Sequence, residues 1–378
     1  MAKKLRMDWF LLAIASSLAM FGAVMVYSAS AMISLKETAA NAGGATQFQY
    51  FFKQFGFTVA GLVLMLFVSR IDYRIYRNRT LIIGLTLLTA VLLASVFAFP
   101  AINGAKRWIR FPGISFQPSE IAKIALPMFC AWFLTEREKS VGDLKGTVLP
   151  SLAVLALFAG LVVLEPDLGT AMVLCAIFTT VYFAAGARLT HLATVAAALV
   201  AVGVGMLVFA PFRVRRLVAF LDPCSPENAA GAGYQVCQSL LAIGSGGVLG
   251  EGFAKGQQKL FYLPYPYSDF IFAVVGEELG LAGTLIVVLA FGLLLWRGAR
   301  AALLAPDRFG KLLGIGLITG LIIQALFNIS VVISVLPAKG IPLPFISYGG
   351  SSIVFTLIGV GILLNISQYA GFKPVDKG

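Results

Sequence analysis

Asp269 opens the run SDFIFAVVGEELG (Ser268 to Gly280), a carboxylate at the mouth of an apolar helix. An ionisable side chain beside hydrocarbon is costly and marks a functional site by default. A carboxylate there can act as a general base. It can equally be a first-turn acid or cap facing the helix dipole. Three other segments carry groups capable of chemistry. In Gln117-Pro118-Ser119-Glu120-Ile121-Ala122-Lys123, Glu120 and Lys123 stand three residues apart on one helical face. They read as a packing ion pair or as the polar wall of a substrate cavity. In Glu165-Pro166-Asp167-Leu168-Gly169-Thr170, Asp167 suits a cap on the next helix, while Glu165 follows directly on an apolar run. From Leu336 to Ser352, three prolines and three glycines describe a rigid hairpin carrying Lys339, Ser347 and Ser351.

These groups must be positioned by membrane helices. The chain has 378 residues, 59% of them hydrophobic and only 12% charged, with mean hydropathy +0.91. Apolar runs of roughly 20 residues recur, each long enough to cross about 30 Å of hydrocarbon. They are continuous rather than alternating, which argues against a membrane β-barrel. The expected fold is an all-α polytopic membrane protein of about ten transmembrane helices, near 10–30, 52–69, 80–99, 117–135, 148–164, 168–186, 190–210, 268–296, 312–336 and 345–370. No linker divides the chain, so 1–378 reads as one domain. The basic start is followed by a run long enough to remain as the first span, so no cleavable signal is expected.

A net charge of +12 suits loops facing a cytoplasm and anionic lipid better than it suits nucleic acid. Lys3, Lys4 and Arg6, Arg70 to Arg79, Arg137 to Lys145, and Arg297 to Lys311 place both termini in the cytoplasm. A large extracytoplasmic loop, about 211–267, then separates spans seven and eight. Lys106, Arg107 and Arg110, and Arg213, Arg215 and Arg216, fall on the outer side against the usual bias. Long loops escape that bias; alternatively these groups hold an anion such as a lipid-linked phosphate. Cys224 and Cys237 share the long loop and are open to a disulfide if it lies outside the cell. His191, the only histidine, reads as a surface residue. Glu277 and Glu278, within span eight, read as packing partners.

Taken together, the motifs NGAKRWI with QPSEIAK, EPDLGT, GYQ with QS and AIGSGG, DFIFAVVGEELG, and LPAKGIPLPFISYGGSS stand in one order. In that order the chain resembles the SEDS proteins (shape, elongation, division and sporulation), the FtsW/RodA/SpoVE family, from Asp8 to about Phe372. The first and last motifs are nearest the FtsW branch. The resemblance implies a peptidoglycan glycosyltransferase of the bacterial cytoplasmic membrane, which polymerises lipid II at the outer face for cell division or cell shape. It implies Asp269 as the catalytic acid, with Glu120, Lys123, Arg213, Arg216, Lys339, Ser347 and Ser351 lining the substrate site. It also implies a class B penicillin-binding protein as transpeptidase partner, alongside other division or elongation proteins. A lipid II flippase is the alternative, but polar clusters at one face favour chemistry over midplane transport. No resident cofactor follows from the sequence; a divalent cation (Mg or Mn) is the one addition the leaving diphosphate leaves room for. Many relatives read Pro-Glu-x-His-Thr-Asp before FIF, where this chain reads Pro264-Tyr265-Pro266-Tyr267-Ser268-Asp269. The retained Asp269 keeps the reaction available. The charged clusters are expected to meet in one outward-facing pocket.

Overall fold

A computed structural model describes residues 7–40, 46–101, 104–111, 114–191, 193–194, 197, 205 and 211–370. Its elements are α1 (Trp9–Ala40), α2 (Gln49–Arg70), α3 (Arg79–Ser95), a hairpin of β1 (Ile109–Phe111) and β2 (Ile114–Phe116), α4 (Pro118–Glu136), α5 (Leu149–Leu164), α6 (Leu168–Ala184), α7 (Pro211–Leu221), α8 (Tyr234–Ser245), α9 (Ile271–Leu303), α10 (Arg308–Val332) and α11 (Gly350–Ser367). Seven of these are long and apolar enough to cross a membrane. α6 is apolar but shorter, and α4 carries Glu120 and Lys123 in its first turns. The protein is a helical, multi-pass membrane protein. Expected span seven, 190–210, lies largely outside the described residues, as do Lys3, Lys4, Arg6 and the end of the chain from residue 371.

The core centres on α10 and α11, the two most enclosed spans. α10 packs against α4, α6 and α9, and α11 lies along α2. Close approach depends on small residues, since lipid offers no hydrophobic drive between helices. A Cβ at Gly316 would sit 2.5 Å from Cβ of Pro127 in α4, so no larger residue fits there without movement.

One end of the bundle is tied by ion pairs. Arg77 meets Glu136 at 2.8 Å, Arg308 meets Glu138 at 2.8 Å and Arg297 meets Asp8 at 2.6 Å. Asp307 caps α10 by accepting from Gly310 N, and it also accepts from the Tyr73 hydroxyl. These bonds join the start of α1, the loop after α2, the ends of α4 and α9 and the start of α10. The functional motifs lie at the opposite end.

The all-α reading holds at the level of the fold class; the one addition among the described residues is the short β1–β2 hairpin, in which Ile109 pairs with Phe116. Three-residue strands between a Gly-rich turn and a helix leave little periodic signal. Two helices, α7 and α8, lie within the segment 211–267. Span eight does not start at Ser268; α9 begins at Ile271 after a turn, and its N-cap is Phe270 without a side-chain bond. Asp269 is therefore not the cap of this helix.

α9 also breaks where the sequence shows only a glycine in an apolar run. Gly280 adopts φ 65°, ψ −162°, a region open essentially to glycine. The break frees main-chain groups, and the loop after α8 takes them up. Glu251 N donates to Glu277 O (3.0 Å), Gly252 N to Glu278 O (3.0 Å) and Leu281 N to Gly247 O (2.9 Å). Irregular backbone inside a membrane protein survives only when satisfied in this way. The two acids follow the same logic. Glu277 accepts from Gln257 N and Gln258 N. Glu278, fully buried, binds Lys259 Nζ at 2.5 Å, Ser28 Oγ at 2.6 Å and Ala254 N at 3.0 Å. Both are packing partners, as the sequence suggested. The Cys224–Cys237 disulfide is formed and ties the loop after α7 to α8.

Removing one member of a buried pair strands the other charge, which costs roughly 3–5 kcal/mol. Lys259→Met is expected to lower the thermal unfolding midpoint in detergent sharply, and adding Glu278→Leu to recover most of the loss. Equal midpoints for Lys259→Met and wild type would contradict this role.

Candidate active site

Asp269 lies in the turn before α9, half-buried. Its neighbours come from two loops that are far apart in sequence. The 339–348 loop is the first. Gly340 stands so close that a Cβ there would lie 2.8 Å from Asp269 Oδ2. Ser347 Oγ donates to Ser268 O (2.6 Å) and accepts from Leu343 N (2.7 Å). Tyr348 N donates to Tyr267 O (2.9 Å). Pro342 and Pro344 stiffen the loop, and these bonds fasten it to the turn that carries the acid.

α10 supplies the clamp. Asn328 Nδ2 donates to Asp269 O and to Ile341 O, both at 2.7 Å. One turn away, Gln324 Nε2 donates to Pro342 O (2.8 Å), and Gln324 Oε1 accepts from Lys123 Nζ (2.5 Å). Lys123 in turn pairs with Glu120 Oε2 at 2.7 Å. Positions i and i+4 share a helix face about 6 Å apart along the axis, so α10 links the Asp269 turn to the Glu120–Lys123 pair. The pair lines a cavity with Gln324, Pro344 and Phe355. Glu120 is almost wholly buried, and Asp269 is not part of that lining.

The second loop lies between α5 and α6. Asp167 is the N-cap of α6, accepting from Thr170 N (3.0 Å) and Thr170 Oγ1 (2.9 Å), as its sequence position suggested. Gln117 Nε2 reaches it at 3.4 Å. Arg107, in the segment just before β1, donates from Nε to Glu165 O (3.1 Å) and from a terminal nitrogen to Pro166 O (2.5 Å). Carbonyls thus fix the guanidinium, and its charge acts through space on the acids around it.

Those fields set the acids' protonation. Burial pushes Asp269 up to about 6; Arg107 pulls it back down and Asp167 adds to the rise. Glu165 is fully buried with neither oxygen hydrogen-bonded. Burial pushes it up to about 8, Asp167 adds to that and Arg107 opposes it. At neutral pH Glu165 therefore holds a proton while Asp269 is mostly ionised. A carboxylate titrating near 6 is well matched to taking a proton at neutral pH.

The other expected site residues divide. Lys339 adjoins Gly340, and its Nζ lies 3.0 Å from Met172 Sδ. Ser347 serves the backbone clamp. Ser351 is buried in the first turn of α11, and its hydroxyl has no hydrogen-bond partner. Arg216 stands exposed on α7. The side chain of Arg213 lies outside the described residues. Among the described residues, no three His, Cys, Asp or Glu side chains converge as a metal-binding set. The described side chains thus show no ready cation site, and no step below is routed through a metal.

Sequence reading noted Arg107 as a misplaced cation without pairing it to Asp269. It missed Gln324 and Asn328. Two amides four residues apart in the apolar run LITGLIIQALFNISVV were the available signal.

A family profile described as "Cell cycle protein", covering FtsW, RodA and SpoVE, matches residues 8–371. The chain belongs to this family. It is 40% identical to the probable peptidoglycan glycosyltransferase FtsW of Geobacter metallireducens, over 96% of this chain and 95% of that one. It is 38% identical to the stage V sporulation protein E of Bacillus subtilis, over 98% and 99%. Among solved structures, a chain from a peptidoglycan synthase complex that coordinates polymerization and crosslinking superposes with TM-score 0.75 at 26% identity, over 96% of this chain and 98% of that one. The Thermus thermophilus rod shape determining protein RodA superposes with TM-score 0.68 at 27% identity, over 96% and 97%.

Loss of a buried hydrogen-bonding partner costs about 1–3 kcal/mol. Asn328→Ala is expected to speed amide exchange across residues 267–270 and 340–343 relative to the rest of the protein. Unchanged exchange in both segments would show that Asn328 does not join them.

Proposed function

We infer that the chain is a peptidoglycan glycosyltransferase that polymerises lipid II into glycan strands for division or shape. The observation that carries this reading is Asp269, an acid poised near neutrality beside a fixed arginine. The family membership and the names of the relatives support the same activity.

In this reaction the 4-hydroxyl of the acceptor sugar attacks the anomeric carbon of the donor strand. A new C–O bond forms, the bond from that carbon to the diphosphate breaks, and undecaprenyl diphosphate leaves with its electron pair. Asp269 takes the hydroxyl proton. The diphosphate is already a good leaving group, so the chain's task on that side is to steady negative charge. Arg107 is the cation best placed for this, with Lys339 on the loop opposite. The Glu120–Lys123 cavity, one turn of α10 away, would receive another part of the lipid-linked substrate. Ser351, with its free hydroxyl in the same end of the bundle, is a further candidate contact, and Arg213 and Arg216 would meet the substrate from α7.

A topology of ten spans with both termini in the cytoplasm would put this end at the outer face of the bacterial cytoplasmic membrane. The basic residues of the opposite, ion-paired end support that orientation. The fold's similarity to a chain from a complex coupling polymerization to crosslinking supports a class B penicillin-binding protein as partner.

Asp269→Asn keeps the size of the side chain and removes the base. It is expected to leave insertion and thermal stability near wild type and to reduce polymer formation from purified lipid II, partner present, by at least about a hundredfold. In wild type the rate is expected to fall as pH drops through about 6, because the deprotonated acid is the active form. Polymer at the wild-type rate from Asp269→Asn would overturn the assignment.

A further inference from the structure

A second concave site lies on the other side of the Asp269 turn. Ile33, Lys36 and Glu37 from the end of α1 face Phe261, Pro264, Tyr265 and Tyr267 across a groove of about 540 Å³. That is within the usual range of ligand sites, about 300–1,000 Å³. Phe261 and Tyr265 are exposed. Tyr267 is braced from below, its ring 4.9 Å from Tyr50 and 5.7 Å from Tyr348. Tyr50 donates its hydroxyl to Glu37 Oε2 at 2.8 Å, and Lys36 Nζ lies 4.9 Å over the Phe261 ring. Phe261 and Tyr265 also hold left-handed backbone, φ 72° and 54°. Bulky residues rarely adopt it, and such positions cluster at ligand clamps.

We propose that this groove binds the growing glycan strand as it leaves the reaction centre, its sugar faces stacked on Phe261, Tyr265 and Tyr267. The proposal rests on the polymerase reading above. Continuity is the first argument: Tyr267 is two residues from Asp269, and its carbonyl holds Tyr348 of the loop that flanks the acid. Position is the second. At 1.5 Å per residue a helix of α1's 32 residues runs about 48 Å, well beyond about 30 Å of hydrocarbon, so Lys36 and Glu37 stand in water. Charge is the third. One lysine beside one carboxylate leaves the groove near neutral, which suits the hydroxyls and amides of an N-acetylated saccharide. An anionic lipid headgroup would call for an excess of cations. Aromatic faces with polar tips are well suited to surfaces that are half apolar and half hydrogen-bonding, as a sugar is.

Asparagine accepts left-handed backbone and lacks a ring. Phe261→Asn and Tyr265→Asn therefore remove the stacking faces while easing the backbone, so stability is expected to be equal or improved, whereas a merely structural role for the rings would lower it. Full-length protein in nanodiscs is titrated with the soluble β-1,4-linked N-acetylglucosamine tetramer, followed by saturation-transfer NMR. Strand length from lipid II is measured in parallel. Each variant is expected to weaken tetramer binding roughly fivefold to tenfold and to shorten strands, and Tyr265→Phe to restore both. Wild-type affinity and strand length in both asparagine variants would overturn the proposal. So would variants that alter retention of phosphatidylglycerol but not tetramer binding, which would mark a lipid-headgroup site. Wild-type protein that binds the tetramer through Tyr265 but makes no polymer would instead overturn the polymerase reading.

Discussion

Backbone that leaves a helix at the edge of a membrane must find partners for its N–H and C=O groups within the protein. Everything at the candidate site follows from how that demand is met around Asp269. The turn before α9 and the 339–348 loop satisfy each other through Ser347, Tyr348 and the side-chain amide of Asn328. The acid does not hold the turn in place; the turn holds the acid. Among the described residues no ion pair neutralises it and it does not cap α9, so Asp269 stays open to a substrate proton. Its half-burial and the nearby Arg107 then set where it titrates.

Arg107 is held by two carbonyls of the turn after α5 rather than by a carboxylate. A salt bridge would have quenched its field locally. Fixed by neutral acceptors, it can favour the ionised form of Asp269 and also meet an incoming anion. Glu165, protonated beside it, adds no countercharge at neutral pH. The buried Glu120–Lys123 pair is reached through α10, since Gln324 and Asn328 hang successive parts of one loop from successive turns of one helix.

Much of this was legible in the chain. In a sequence with so few charges, Asp269, Glu120, Lys123 and Lys339 stood out because each must be accounted for in an apolar setting. Seven of the expected spans were legible for the same reason, and Pro118 marked the first turn of α4. What could not be read were the contacts between distant segments. Nothing local said that Arg107 would face Asp269, or that Asn328 would bridge two loops. The break at Gly280 was hidden because glycine is common in membrane helices. Ser347 looked like a substrate donor, but its one hydroxyl proton goes to the Ser268 carbonyl and one of its lone pairs to Leu343 N. Asp269 looked like a cap, but the helix starts two residues later.

The central claim is that the site tunes Asp269, with burial raising its affinity for a proton and Arg107 limiting the rise. Carbon-13 NMR of aspartate carboxyls in nanodiscs, with Asp269→Asn identifying the resonance, reads that directly. The account requires a midpoint near pH 6 in wild type and a higher one in Arg107→Gln. A midpoint near the ordinary aspartate value of 3.8, unmoved by Arg107→Gln, would contradict it.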